Sequence, residues 1–391
     1  MNLINMIIKK ILNRIIKLFI RIINKTINMI EKHTMFYADY ATNIFDFNYI
    51  VRQRNARSDE IFTGNSLYSI GYVLRRYSNY KGGIYCASEH GLPAGSTKDI
   101  VEYKDNDRKI VMVMSEDRRE FLQTKTNKLL IPIGPSIMPY CTNIYSDFIM
   151  EDIKDNLGKT LLVFPQHSVP STACLQAGNE FMDYIDKLVS TFHYDTVLVC
   201  LYHEDIQRGE HFKYQKDIWG ERRIVVTAGH KHNYDFADCM KTIINLSDHV
   251  VTQGYGSAAI YSIYLKKPVF YFPGNRGRKI ENKGIVEDQD PWMQPYEEKL
   301  ETLANLSFNN VSETMLNHMR EDQWNWANKV YGFSETLTPE QIHELFEFAK
   351  ATKRVNILDD RTIQKKLRSD KFKNIRELVE KSIRYRAEHL S

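Results

Sequence analysis

Ser247-Asp248-His249-Val250-Val251-Thr252-Gln253-Gly254-Tyr255-Gly256-Ser257-Ala258-Ala259 runs into Ile260-Tyr261-Ser262-Ile263-Tyr264-Leu265 and then Lys266-Lys267-Pro268-Val269-Phe270-Tyr271-Phe272. A short β-rich apolar run, a glycine turn, an apolar helical run and a second β-rich run follow one another without a break. That is the order of a βαβ unit, and it predicts an α/β fold with a mostly parallel sheet. The Gly-x-Gly-Ser turn places free backbone N–H groups and the positive end of a helix where an anion can sit. Gly254 and Gly256 are expected to let a ligand approach the backbone, and Ser257 adds a hydroxyl donor. A tight strand-to-helix turn with no ligand is the plainer use of the same residues. Position 259 is Ala and no Gly-Lys-Ser/Thr follows, so the turn is neither the dinucleotide G-x-G-x-x-G nor a P-loop.

Working outward, the same alternation extends over most of the chain. Further strands are predicted at 160–164, 196–201 and 223–227, and in the first half at 83–88, 109–114 and 129–133. The polar stretch 140–159 marks the expected domain boundary. The resulting organisation is a helix over 1–33, a first domain over 34–155, a second over 156–335 and helices over 336–391. Thr338-Pro339-Glu340 reads as a capped helix start with Pro in the first turn, and Leu345, Phe346 and Phe348 supply that helix with an apolar side. Two such domains frame a cleft, and open parallel sheets bind ligands at the carboxyl ends of their strands.

The predicted strand ends are rich in histidine. Glu89-His90-Gly91 follows the strand at 83–88 and can supply a general base. Pro165-Gln166-His167-Ser168 follows 160–164 and can contact phosphate or sugar hydroxyls, or cap a helix. Tyr202-His203-Glu204-Asp205 follows 196–201, where His203 can serve a donor phosphate or pair with its acidic neighbours. His230, in Thr227-Ala-Gly-His230-Lys-His232, competes with His203 for the phosphate-binding role. Asp288-Gln289-Asp290 is expected to be a solvated loop, and no metal site is expected. The pairs Trp292 with Tyr296 and Trp324 with Trp326 are expected to be packing anchors.

In this order the motifs resemble those of GT-B-fold transferases of bacterial surface polysaccharides, above all the CDP-glycerol glycerophosphotransferase and capsule or sialyltransferase-like groups. The match runs through Glu89-His90-Gly91, Phe164-Pro165, His203-Glu204 and Ser247-Asp248 to Gly256-Ser257 and Lys267-Pro268, over roughly residues 80–275. The chain departs from the pattern at Glu204, where the family has Pro, and at Gly256, where it has Ser. The resemblance implies two Rossmann-like domains, with the acceptor on the first and the nucleotide on the second. It implies that His90 or Glu89 is the base, and that His203, His230, Gly254, Gly256, Ser257, His167 and Ser168 bind the donor. The donor would be a nucleotide-activated sugar or polyol phosphate, CMP- or CDP-linked, with no other cofactor; the acceptor would be a polysaccharide or a lipid-linked glycan. A non-hydrolysing sugar-nucleotide epimerase and a non-catalytic assembly scaffold are the alternative readings.

Composition narrows the setting. The chain has 391 residues, 53 Lys+Arg against 49 Asp+Glu, and a hydrophobic share of 43%. These values suit a soluble two-domain protein and argue against collagen-like, disordered and multi-span membrane classes. The charge is uneven: residues 1–33 hold seven basic side chains and one acid, a local +6, and the rest of the chain carries −2. A nucleic-acid-binding body is therefore not expected. Over 1–33, Lys10, Arg14, Lys17, Arg21 and Lys25 share one helical face opposite a wide Ile-rich one. That pattern suits an interfacial helix on an anionic membrane surface better than a span or a cleavable signal, and packing on the body is the other reading. The expected location is cytoplasmic, peripheral on the inner face of the plasma membrane. Five Cys with no C-x-x-C are read as free buried thiols in a reducing compartment.

Overall fold

The computed structural model describes residues 43–51, 63–89, 108–135, 137–167, 172–174, 179–209, 214, 222–273, 277–280, 284–287, 294–304, 312–356 and 359–389. The basic helix read at 1–33, His90, Ser168, Trp292 and the Asp288–Asp290 loop lie outside the described residues.

The predicted strands form within a residue or two of their expected bounds, except that the strand expected over 83–88 is confined to Ala87–Ser88. β1 (Ala87–Ser88), β2 (Ile110–Val113) and β3 (Leu129–Pro132) make a three-stranded parallel sheet in sequential order. β4 (Thr160–Phe164), β6 (Thr196–Cys200), β7 (Arg222–Val226), β8 (His249–Gln253) and β9 (Val269–Phe272) make a five-stranded parallel sheet in the order β7-β6-β4-β8-β9. β5 (Thr172–Cys174) joins the hairpin of β10 (Gly277–Ile280) and β11 (Gly284–Glu287) in a small antiparallel sheet. Arg278 and Lys279 are strand residues of β10.

The strands are continuous apolar runs because both faces of the large sheet are covered. Leu162, Leu198 and Val250 face one hydrophobic cluster, while Leu161, Val163, Val197, Val199 and Val251 face another that includes Phe181, Ile185 and Leu188 of the helix Asn179–Phe192. The first of these clusters also holds Ile110, Met112, Leu129 and Ile131, so the two parallel sheets share one contiguous core. The C-terminal helices join it through Leu345, Phe346, Phe348, Leu367 and Val379. The helix Pro339–Thr352 starts as expected, with Pro339 in its first turn and a reciprocal cap between Thr338 and Gln341. Trp324 and Trp326 are part-buried against the core, edge-on to Phe333 and Tyr331 respectively. Cys86, Cys141, Cys200 and Cys239 are free and buried, and burial pushes the thiols of Cys86, Cys141 and Cys200 up to about 12.

The polar stretch 140–159 folds mainly as the helix Asp147–Leu157, which delivers the chain to β4. Contacts cross this stretch freely. Arg76 binds Asp238 through two hydrogen bonds of 2.6 and 2.7 Å, and Asp238 also accepts from the backbone N–H of Thr142 at 2.8 Å.

Candidate functional site

In the five-stranded sheet the first strand in sequence, β4, is central, and the chain steps outward through β6 and β7 on one side and β8 and β9 on the other. The order reverses between β4 and β8, so their carboxyl ends open a crevice between loops that diverge. Gln166, just past β4, donates its backbone N–H to Gln253 Oε1 at the end of β8, at 3.2 Å. This bond fixes the loop that carries His167 beside the turn at Gly254–Ser257.

At that turn the two glycines differ. Gly254 has φ +80°, which a side chain would strain, and its N–H donates to Phe272 O at 2.8 Å. Gly256 is extended at φ −171° and precedes the helix Ser257–Tyr264. A Cβ built on Gly256 meets nothing within 4 Å, so the fold itself makes no use of the missing side chain there. Nearby, Thr252 Oγ1 and Tyr255 Oη are buried without a hydrogen-bond partner.

On the other side of β4 the histidines come together. Ring centroids lie 4.7 Å apart for His167 and Tyr202, 4.3 Å for Tyr202 and His203, 4.2 Å for His203 and His230, and 5.5 Å for His230 and His232. The choice between His203 and His230 thus becomes a pair: the ends of β6 and β7 bring both to one place. His203 is 2% exposed, and neither ring nitrogen has a hydrogen-bond partner. Glu204 Oε1 stands 4.0 Å from His203 Nε2, too far for a hydrogen bond, and pairs with Lys231 Nζ at 3.4 Å. Glu204 thus ties the two histidine loops together. Burial, followed by repulsion from His230 and Lys231, holds the His203 imidazole down to about 3. Burial and the neighbouring His232 hold His230 down to about 4, and His232 is lowered in the same way. All three are neutral at pH 7. His230 Nδ1 accepts the backbone N–H of His232 at 3.2 Å, so neutral His230 carries its proton on Nε2 and presents a donor there.

Residues that the sequence reading missed complete this cluster. Ser66 Oγ lies 3.3 Å from His232 Nδ1, Tyr68 donates its backbone N–H to Lys231 O at 2.6 Å, and the Tyr68 and Tyr202 side chains are hydrogen-bonded. Tyr68 and Ser69 take positive φ of 54° and 60°, uncommon for side-chain-bearing residues. Such backbone persists where its surroundings over-determine it; here Ser69 Oγ also accepts the N–H of Ala237 at 3.0 Å. The only trace in the sequence is a Gly64-Asn65-Ser66 turn ahead of an amphipathic helix, a signal that many loops share.

Asn65 links this segment to β1: its side chain donates to Cys86 O at 2.9 Å and accepts from the N–H of Ser88 at 3.1 Å. At the end of β1, Glu89 is 2% exposed and accepts from Arg118 Nε at 3.1 Å and Nη2 at 2.9 Å. Arg118, also absent from the sequence reading, is fully buried on the helix Glu116–Gln123. Among the described residues no group of three or more His, Cys, Asp or Glu side chains is placed to hold a metal ion, and no helix is long and apolar enough to cross a membrane.

No family model and no curated protein matches the chain. Among solved structures, the catalytic domain of starch synthase IV from Arabidopsis thaliana, bound to ADP and acarbose, aligns at a TM-score of 0.25 and 12% identity, over 73% of this chain and 62% of its own. UGT2 of Phytolacca americana, complexed with UDP-2-fluoro-glucose and pterostilbene, aligns at 0.28 and 13% identity, over 82% and 69%. This chain thus spans less than two thirds of the starch synthase domain. Likeness at this level assigns neither fold nor activity, and the reading of the site rests on its own geometry.

Proposed function

We propose that this protein is a GT-B-type transferase that moves a sugar or polyol phosphate from a nucleotide-activated donor to a bacterial cell-surface polysaccharide or lipid-linked acceptor. The observation that carries the reading is His203, buried beside the reversal of strand order with both ring nitrogens unpartnered. A buried polar group without a partner is costly, and such a cost persists where a ligand supplies the partner.

In this reading the donor's phosphates lie across the carboxyl ends of β4, β6 and β8. They accept from His230 Nε2, the His203 ring and the N–H groups at Gly254–Ser257, and Ser257 Oγ adds a donor. His167 borders the same ground, and Ser168 follows it. As the bond from the transferred group to the nucleotide phosphate breaks, its electron pair stays on that phosphate. Donors already aimed there stabilise the developing charge without reorganising, and no metal ion is called for. The acceptor hydroxyl loses its proton to His90 while its oxygen forms the new bond. Glu89, committed to Arg118, positions that loop in place of acting as the base. The basic helix over 1–33 would hold the enzyme on the cytoplasmic face of the plasma membrane, beside a lipid-linked acceptor.

Screening CMP-, CDP-, UDP- and GDP-linked donors by thermal shift and then by donor hydrolysis tests the reading. Stabilisation by a cytidine-linked donor is expected. His203→Ala should weaken its binding about tenfold or more, the scale of one lost hydrogen bond to a charged group. His90→Ala should abolish transfer with binding retained. No stabilisation by any of the four donor classes would overturn the proposal.

A further inference from the structure

At the opposite end of the same strands, a cavity of about 580 Å³ opens at the amino ends of β4 and β8. It is lined by Lys154, Lys159, Arg320, His249, Asp155 and Asp248, with Gly158 and Leu246. β4 is five residues long, so this cavity lies roughly 15 Å from the donor site proposed above.

The charges around it are unbalanced. Among the described residues Lys154, Lys159 and Arg320 make no ion pair, and Arg320 Nε is buried with no hydrogen-bond partner. Of the two acids, Asp248 is already engaged: its Oδ2 accepts the backbone N–H of Thr160 at 2.7 Å. A fourth cation stands close behind. Lys267 donates to Ser247 O at 2.5 Å, and burial, reinforced by repulsion from Lys154 and Arg320, pulls its ammonium down to about 8. His249, 4% exposed, binds Tyr194 Oη through Nδ1 at 2.6 Å, which leaves Nε2 as its remaining polar atom. Asp195 stands against Gly158 and is likewise engaged, its Oδ2 accepting the backbone N–H of Lys159 at 2.8 Å, so four cations that repel one another face three acids around the cavity. A bound anion with several charges would relieve that repulsion and give Arg320 Nε its missing partner.

We propose that this cavity is a second ligand site, distinct from the donor site, which binds a soluble phosphorylated small molecule. Its phosphate lies between Arg320, Lys159 and Lys154, with His249 Nε2 beneath. A volume of this size suits a sugar phosphate or a diphosphate in preference to a lone halide. Arg320 contributes a planar fork matched to phosphate oxygens, and the two lysines contribute point charges.

The test uses the full-length protein and inorganic pyrophosphate as the probe, titrated calorimetrically in a chloride background of constant ionic strength. Pyrophosphate also suits the proposed donor site, so each titration is repeated in a His203→Ala background, where that site binds about tenfold more weakly and a loss caused by the cavity variants is read separately. Arg320→Ala is expected to weaken binding there at least tenfold, and Lys154→Ala with Lys159→Ala by a similar factor. Both lysines are exposed, so the second pair carries the test even if the arginine variant fails to fold. Hydrolysis of the donor without pyrophosphate should be unaffected by the lysine pair. Affinity unchanged by the lysine pair would overturn the proposal. Flotation with vesicles of anionic phospholipid separates a lipid headgroup from a free anion. Flotation is expected to survive Arg320→Ala, and its loss would overturn the assignment to a soluble ligand.

Discussion

The ends of β1 and β2 and the ends of β6 and β7 both bury ionisable side chains, and they treat them in opposite ways. At the first, Glu89 and Arg118 neutralise each other within 3.1 Å, away from water. At the second, burial keeps His203 and His230 uncharged, and His203 has no hydrogen-bond partner at all. A buried charge pair of this kind holds backbone in place. A neutral ring with open hydrogen-bonding positions does nothing for the fold and is available to a ligand. The contrast separates structure from function among residues that look equally promising as motifs.

The largest expected effect breaks this comparison directly. Glu89→Ala strands the Arg118 guanidinium in the interior, and removing one partner of a buried pair typically costs about 3–5 kcal/mol. Chemical denaturation should register a loss on that scale. His203→Ala removes a ring whose polar atoms gain nothing from the fold, so its denaturation midpoint should move far less while nucleotide affinity drops. Equal losses of stability in the two variants would show that His203 is as structural as Glu89.

The two halves of this contrast were unequally legible in the sequence. The strands of the large sheet are centred on short apolar runs such as Leu161-Leu162-Val163 and Val197-Leu198-Val199, as a doubly covered parallel sheet requires, and they were located to within a residue or two. The histidines were equally visible, because each follows such a run. Their meeting was not legible, since β7, β6 and β4 become neighbours only through the long-range order of the sheet. Arg118 lay hidden because Glu116-Asp117-Arg118-Arg119-Glu120 reads as a solvated helical face, yet Arg118 and Arg119 are both buried. Tyr68 and Ser69 lay hidden because positive φ outside glycine leaves no mark in composition. The shared core and the return of the C-terminal helices to the first sheet were likewise invisible to local periodicity.

A smaller effect sharpens the reading of the Gly-x-Gly-Ser turn. Gly254→Ala forces a side chain into the left-handed region, at a cost of roughly 1–2 kcal/mol. Gly256→Ala puts a methyl group into open space on extended backbone and should leave stability within about 0.5 kcal/mol of the parent. If the open space at Gly256 belongs to the donor, nucleotide affinity should fall in that variant even though its thermal midpoint does not. Unchanged affinity would reduce Gly256 to a plain helix entrance.

The remaining effect is seen only on changing pH, where the two regions pull in opposite directions. His203 and His230 bind protons near 6.5 when unfolded but only near 3 and 4 in the fold, so their contribution is intact above pH 6.5 and lost as pH falls toward 4. Beside the first sheet, Glu335 does the reverse. Burial, with repulsion from Glu116 second, lifts its carboxyl from 4.5 to about 7. Its contribution is therefore present below pH 4.5 and fades as pH rises through 7. Glu335 Oε2 accepts the backbone N–H of Glu116 at 3.1 Å, a bond that a Gln oxygen can keep. Glu335→Gln should accordingly match the parent's thermal midpoint at pH 4.5 and exceed it by a few degrees at pH 8. His203→Ala should instead flatten the acid limb, where each released histidine proton is worth about 1.4 kcal/mol per pH unit. A Glu335→Gln midpoint below the parent's at pH 8 would mean that the ionised carboxylate is held favourably by Arg119 and Lys381, and the first region would then be wholly a matter of closed charge pairs.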